Sequence, residues 1–320
     1  LGGSEAPPAI VSVYIGEELS AIMDAIDKGV NPAAAEKKVM KLGVDSLPDF
    51  PRDTTDRNRT SPMAFTGNKF EFRMLGSSFS VSCTNYILNT AVAEELSQFA
   101  DALERAPDFM KALNELVAKT VREHKRIVFN GNNYSAEWVK EAKRRGLLNL
   151  VYSDEALPYF KTEKNIALLE KHGVLSRAEV ESRTDILLEN YAQSVLIEAA
   201  CMADMAMKEI YPAVAEYSAA LANGVLAKRA VSPSIAADGE ISLLEKLSEY
   251  GGEIMRRADE IDALLAEAKK FSDHESLAHF CRKKILSCME KLRAAADAAE
   301  GVTAKSFWRF PTYADLLFSV

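Results

Sequence analysis

The sequence predicts an α+β fold that is mostly α, in which a short sheet-containing segment precedes a bundle of long helices. Glycine (15 residues) and proline (11 residues) are sparse in a chain of 320 residues. Turns depend on these two residue types, so few and long elements are expected. The clear strand patterns lie at 9–15 and 69–74, whereas the chain from Asn85 onward has the composition and periodicity of helix.

The first 68 residues alternate between strand, helix and loop patterns. Residues 9–15 are short and β-branched and predict a strand that ends at Gly16. Apolar residues at helical spacing over 17–28 predict a helix, and a second helix is predicted from the Asn31-Pro32 start to about residue 43. Residues 47–68 contain three prolines and form the longest irregular stretch. Long ordered loops are uncommon unless they have a function.

The strand at 69–74 carries two different faces. Side chains alternate along a strand, so Phe70, Phe72 and Met74 share one face and Lys69, Glu71 and Arg73 share the other. Two cations around one carboxylate are compatible with an ordinary solvated sheet surface. They are also compatible with the floor of an anion and metal site.

The remaining pattern predicts helices joined by short connections, which favours antiparallel packing as a bundle. Serines at 176 and 272 begin capping-box patterns, and a kink is expected at Pro212. The tail at 307–318 is strongly aromatic, so we expect it to dock on the body or on a neighbouring subunit. The predicted helices span 85–105, 108–124, 135–145, 176–229, 239–271 and 272–301.

Charge and cysteine content exclude several classes of protein. With 39 Lys+Arg and 47 Asp+Glu the net charge is −8, which argues against a protein that coats nucleic acid or anionic lipid. No apolar run reaches the ~18 residues of a membrane span. Four cysteines without CxxC spacing predict reduced, mostly buried thiols of a cytosolic protein, and the four histidines lack metal-ligand spacing.

Three local features occur in a fixed order near the start of the chain. They are Ser4-Glu5-Ala6-Pro7-Pro8, the double-arginine loop at 56–62, and Gly67-Asn68-Lys69-Phe70-Glu71-Phe72-Arg73. This order resembles the C-terminal half of the glutamine synthetase catalytic domain, and the string from 53 to 73 resembles the type III enzymes. Residues 129–135 and 311–318 resemble the C-terminal extension of that type. The resemblance implies two domains, at 1–96 and 97–320.

The resemblance implies a role for five residues. Glu5 matches the flap glutamate that helps take a proton from ammonium, and Arg59 matches an arginine that stabilises the transferring phosphoryl group. Glu71 matches a metal-ligand glutamate, and Arg73 matches the arginine that binds the glutamate substrate. Lys69 stands where shorter family members carry a nucleotide-contacting arginine, and lysine keeps the charge but lacks the planar fork.

The activity implied by the resemblance is ATP-dependent ligation of glutamate and ammonia to glutamine through γ-glutamyl phosphate. The implied cofactor is Mg²⁺ or Mn²⁺, with ATP as co-substrate. The implied assembly is a homo-oligomeric ring, a dodecamer, in the cytoplasm, with neither nucleic acid nor membrane as a partner.

The chain also departs from the family pattern. Ala64 occupies the position of a further phosphate-contacting arginine, and the remaining metal ligands of the family lie upstream of the flap glutamate. We therefore expect the chain to hold only part of an active site and to correspond to the later part of a larger enzyme. The alternative from a different class is a helical scaffold or oligomerisation protein without activity. A third possibility is another ATP-dependent carboxylate ligase or a guanidino kinase.

Overall fold

The computed structural model describes residues 10–30, 39–40, 50–51, 60–73, 80–311 and 313–318. These residues form two compact units. One contains the described residues from 10 to 151 together with 162–177, and the other contains 152–161 and the described residues from 178 onward. The domain boundary at residue 96 stays a prediction, since the first compact unit continues past it to residue 151.

The first unit begins with β1 (Val13–Tyr14), which leads directly into α1 (Gly16–Asp27). Its other strands are β2 (Val39–Met40), β3 (Phe50–Pro51), β4 (Met63–Phe65) and β5 (Phe70–Phe72). β1, β4 and β5 form a three-stranded sheet in that order, with β1 parallel to β4 and β4 antiparallel to β5. β2 pairs with β3 in a separate antiparallel ladder.

Two predictions about the segment before residue 70 are wrong in part. The helix predicted over 31–43 gives way to strand at 39–40, and the predicted irregular stretch at 47–68 contains strand at 50–51 and 63–65. In these segments the backbone N–H and C=O groups are satisfied by pairing with strands elsewhere in the chain, which local sequence patterns do not reveal. The rest of the predicted helix lies outside the described residues.

The remaining elements are helices, and their existence from residue 82 onward confirms the mostly α prediction. Among the described residues, two segments are π-helical, Ala206–Ile210 and Cys281–Leu286, and two are short 3₁₀ turns, Lys125–Ile127 and Leu157–Lys161. The α-helices are α2 (Ser82–Glu104), α3 (Phe109–His124), α4 (Ala136–Arg144), α5 (Ser153–Ala156), α6 (Glu163–Lys171), α7 (Arg177–Met205), α8 (Tyr211–Val231), α9 (Asp238–Ala268), α10 (His274–Phe280), α11 (Ser287–Glu300) and α12 (Tyr313–Phe318).

Helices α2 and α3 bury little of their apolar surface. Thr90 is the single buried residue of α2, and α3 has none. Val92 and Leu96, one turn apart on α2, are more than half exposed, as are Phe109 and Met110 on α3. Apolar patches of this kind are typical of surfaces that contact another protein segment.

The core of the second unit lies between long helices. α9 packs against both α8 and α11. Ile254 and Ile261 of α9 and Leu292 of α11 are fully buried in one core cluster, together with Tyr191 of α7. The Gly251-Gly252 pair does not interrupt α9. A Cβ on Gly251 would lie 3.5 Å from the Tyr211 ring of α8, an ordinary packing distance, so there is room at this position for a methyl group but not for a large side chain.

π-Helical turns interrupt two predicted helices. The kink expected at Pro212 takes the form of the turn at 206–210, in which the Tyr211 N–H donates to the Ala206 carbonyl, five residues back. A π-helical turn contains one residue more than an α-helical turn. It lies just before Pro212, which has no backbone N–H to donate to the α-helical hydrogen bonds. The helix predicted at 272–301 is interrupted by the π-helical turn at 281–286. Its N-cap is Asp273 rather than Ser272, since Asp273 Oδ2 accepts a hydrogen bond from Ser276 N at 2.7 Å.

The helices between 153 and 171, which are short, were not predicted from the sequence. The expected docking of the tail is confirmed at its start. Phe307 lies 5.2 Å from the Tyr217 ring, and Trp308 packs on the helical core. Among the described helices, none is long and apolar enough to span a membrane.

Candidate active site

Three of the five candidate residues, Lys69, Glu71 and Arg73, lie on the β4–β5 hairpin. Gly67, with φ of +91°, turns the chain between the two strands, and Thr66 N donates to Lys69 O at 2.9 Å. The positive φ explains the glycine, since other residues rarely adopt it. Arg73 N donates to Pro62 O at 2.8 Å and closes the ladder at its other end.

Lys69, Glu71 and Arg73 come together on one face of the hairpin, as the alternation of the strand predicts. Arg73 donates to Glu71 Oε2 from Nη2 at 2.8 Å and from Nε at 3.3 Å. Lys69 Nζ lies 3.4 Å from the other carboxylate oxygen, Oε1. The side chain of Arg73 is 22% exposed and that of Lys69 is 65% exposed. Arg73 is thus the better fixed of the two cations.

The two cations hold Glu71 in its ionised form. The hydrogen bond from Arg73 is the main cause that lowers the pKa of the Glu71 carboxyl, and the contact with Lys69 lowers it further. The face therefore presents a permanent carboxylate between two permanent positive charges at neutral pH. Such an arrangement can bind an anionic substrate group through the cations.

The described residues do not by themselves form a site for Mg²⁺ or Mn²⁺. These ions bind about six oxygen ligands, and no group of three or more His, Cys, Asp or Glu side chains is placed to hold a metal within the described ranges. Glu71 is a single carboxylate with both oxygens already beside cations. Other metal ligands would have to come from elsewhere.

Two of the predicted site residues, Glu5 and Arg59, lie outside the described residues. Ala64, the position that departs from the family pattern, lies in the central strand and is fully buried. It is the register partner of Tyr14 on one side and of Glu71 on the other. A side chain as long as arginine would have to displace its present neighbours.

The loop at 130–133 fixes the end of β1, and sequence reasoning did not assign it this role. Asn130 Oδ1 accepts from the backbone N–H groups of Ile15 and Gly16, at 3.2 and 3.1 Å. Asn130 Nδ2 donates to Ser20 Oγ at 2.7 Å. Phe129 N also donates to Val13 O at 3.0 Å. The helical part of the chain thereby supports β1. This strand is one edge of the sheet, and the candidate residues lie at the other edge, on β5.

A second asparagine of the same loop is buried against β1. Asn133 Oδ1 accepts from Ser12 Oγ at 2.6 Å, and both side chains are almost fully buried. Gly131 lies tightly against Phe129, since a Cβ on it would come within 2.5 Å of the Phe129 ring. That ring stacks on Trp138 at 3.8 Å. The Asn-Gly-Asn-Asn pattern indicated a turn, but its long-range partners could not be read from it.

The chain is similar in sequence to known glutamine synthetases. The chain is 37% identical to the type-3 glutamine synthetase of Dictyostelium discoideum over 99% of its length. It is 33% and 32% identical to glutamine synthetases of Butyrivibrio fibrisolvens and Bacteroides fragilis (strain YCH46), over its whole length. Over nearly its whole length the chain is thus similar to glutamine synthetases, one of which is a type-3 enzyme. It spans 44–46% of the length of these three relatives.

The similarity to glutamine synthetases includes the helical part of the chain as well as the sheet. Residues 112–229 match the family model for the glutamine synthetase C-terminal domain. That stretch begins within α3 and ends within α8, and it contains the loop at 130–133. The similarity to the three glutamine synthetases therefore covers the candidate hairpin and the helices alike.

Proposed function

We propose that this chain provides the later part of a glutamine synthetase and contributes part of its active site. In the proposed reaction a γ-carboxylate oxygen of glutamate attacks the γ-phosphorus of ATP, and ADP leaves. Ammonia then displaces phosphate from γ-glutamyl phosphate to give glutamine. The paired cations on the β4–β5 hairpin, within a chain similar to three glutamine synthetases, are the observation that supports this function most directly.

Each candidate residue has a role that suits its chemistry. Arg73 binds a carboxylate of glutamate with its planar fork, and Lys69 and Arg59 neutralise charge on ATP and the transferring phosphoryl group. Glu5 takes the proton from ammonium. Glu71 orients Arg73 and would supply one oxygen to a divalent metal, Mg²⁺ or Mn²⁺, whose other ligands would come from elsewhere.

We also propose a homo-oligomeric ring, a dodecamer, in the cytoplasm. The exposed apolar side chains of α2 and α3 support an assembly. Helices that bury so few of their side chains gain little stability from their own unit. Val92 and Leu96 are the residues that we expect to become buried in contact with another segment. Replacing both with aspartate should reduce the size of the assembly in light scattering.

A chimera tests the proposed activity. This chain is joined to the part of the Dictyostelium relative that it does not cover, and glutamine formation from glutamate, ammonium and ATP is measured. The wild-type chimera should form glutamine, and Glu71→Ala should abolish that activity without loss of the far-UV circular dichroism. Arg105→Ala serves as a control, because Arg105 directly follows α2, is 83% exposed and pairs with Asp101.

Two results would count against the proposed function. One is an inactive wild-type chimera that has the assembly size of the intact Dictyostelium relative. The other is wild-type turnover in Glu71→Ala. The scaffold alternative predicts the first result, because a scaffold contributes no chemistry of its own.

A further inference from the structure

The helical unit contains an apolar cavity of about 870 Å³ that the proposed reaction does not use. It lies between α7, α11 and the C-terminal tail. Met202, Met205, Met289 and Trp308 form much of its lining. Its volume falls within the range of pockets that hold one small molecule, roughly 300–1,000 Å³. Methionine side chains are flexible and polarisable and adapt to apolar ligands of different shape.

The lining of this cavity is acidic. Its charged members are the carboxylates of Glu198, Glu290, Asp297 and Glu300 and one cation, Arg293, among the described residues. Arg293 Nε already donates to Asp297 at 2.6 Å. Glu290 and Glu300 form no ion pair with another described residue. They lie ten residues apart on α11, about 15 Å along the helix axis.

The tail forms one wall and leaves it accessible. Trp308, Phe310 and Leu316 line the cavity, and Leu316 is 63% exposed. Two exposed ion pairs hold the tail, Lys305 with Asp315 at 2.5 Å and Arg309 with Glu216 at 2.9 Å. Exposed pairs of this kind contribute little to stability. Phe307 and Trp308 stay packed on the helical body, so a ligand can enter by displacing only the exposed part of the tail around Leu316.

We propose that this cavity binds a small amphipathic cation, that is, an apolar body that carries one ammonium group. The apolar lining takes the body of the ligand, and the carboxylates of Glu290 and Glu300 attract its charge. The Trp308 ring provides a face on which a cation binds favourably. An anion with the same apolar body would be repelled by the acidic lining. This site is independent of the proposed glutamine synthetase function, since none of its residues is on the β4–β5 hairpin.

Cysteine labelling provides the test, because Cys201 lines the cavity and is exposed. Cys83 is also exposed but lies on α2, so it serves as an internal control. Burial raises the pKa of Cys281 to about 12 and that of Cys288 to about 11, which keeps both thiols protonated and slow to react. The rate of maleimide modification of Cys201 in the full chain then reports occupancy of the cavity.

The probes are decylamine, 1-decanol and decanoate at equal concentrations below their aggregation limits. Decylamine should slow the modification of Cys201 by about tenfold at saturation, with the rate at Cys83 unchanged. Decanol should protect less and decanoate least. Equal protection by decanoate, equal slowing at Cys83, or no protection by any probe would each overturn the proposal.

Substitutions separate the charge from the apolar contacts. A single ammonium pairs with only one of these two carboxylates at a time, and the double variant Glu290→Gln and Glu300→Gln removes both. It should weaken decylamine binding by about two- to fivefold, as expected for one exposed ion pair, and leave decanol binding unchanged. The control is Glu245→Gln with Glu249→Gln, which makes the same charge change on the exposed face of α9. Equal weakening in both double variants would refute a local role for the α11 carboxylates.

A second copy of the chain is the alternative occupant. If Cys201 becomes more protected as the protein concentration rises, in the absence of any probe, a second copy occupies the cavity and the proposal is overturned.

Discussion

Replacing Arg282 with methionine removes the cation that neutralises a buried carboxylate in the helical unit. The Asp154 side chain is 1% exposed, and that of Arg282 is 9% exposed. Arg282 Nε donates to Asp154 Oδ2 at 2.9 Å, and Nη2 donates to Glu155 at 2.8 Å. The guanidinium also lies 4.4 Å from the centre of the Tyr152 ring, and His279 Nδ1 lies 2.9 Å from Asp154 Oδ2.

The expected cost of Arg282→Met follows from the burial of its partner. Removing one member of a buried ion pair leaves an uncompensated charge and costs about 3–5 kcal/mol. Arg293→Met makes the same chemical change at a pair whose side chains are 70% and 52% exposed, and it should cost less than about 1 kcal/mol. Adding Asp154→Asn to Arg282→Met should restore a large part of the loss, because the buried charge is then gone.

Urea unfolding followed by circular dichroism at 222 nm measures the free-energy differences, with hydrogen exchange of the amides at 153–161 as a local readout. In Arg282→Met these amides should lose protection first. The reasoning would be refuted if Arg282→Met cost no more than Arg293→Met. It would also be refuted if Asp154→Asn added a further loss to Arg282→Met.

Two further predictions concern helix packing and pH. Gly252→Ala should stabilise α9 by about 0.5–1 kcal/mol, since no atom lies within 4 Å of the new Cβ. Gly251→Leu should destabilise α9 by about 1–3 kcal/mol through overpacking against α8. Thermal unfolding of both variants measures these changes. Hydrogen bonds, first from Lys171, lower the pKa of Glu94 to about 2 from its ordinary value near 4.5. Because the folded-state pKa is the lower one, the stabilisation by Glu94 is complete above pH 4.5 and is lost as the pH falls toward 2. Hydrogen exchange in α6 should therefore rise over that interval, and Glu94→Gln should remove this pH dependence.

Local patterns were sufficient for much of the fold. The Ser135 cap accepts from Trp138 N at 3.2 Å, as its position before a periodic run predicts. Gly29 and Gly146 end their helices with positive φ, which fits their place after the last periodic residue. The alternation at 69–73 correctly placed Lys69, Glu71 and Arg73 on one face.

Features that depend on distant partners could not be read in the same way. The pairing of residues 39–40 with 50–51 joins segments that look helical or irregular by themselves. The sequence predicts mostly buried thiols, which is wrong for Cys83 and Cys201, because both are exposed. Asn130 and Asn133 find their partners more than one hundred residues earlier in the chain. No local pattern encodes such contacts.

The Michaelis constant for glutamate in an Arg73→Lys chimera tests the central proposal most directly. Lysine keeps the positive charge but cannot make the two parallel hydrogen bonds that a guanidinium makes to a carboxylate. If Arg73 binds the substrate, the KM for glutamate should rise by about tenfold while the KM for ATP changes less than about twofold. Arg105→Lys should change neither constant. An unchanged KM for glutamate, or an equal rise in both constants, would contradict the assignment of Arg73 to the glutamate site.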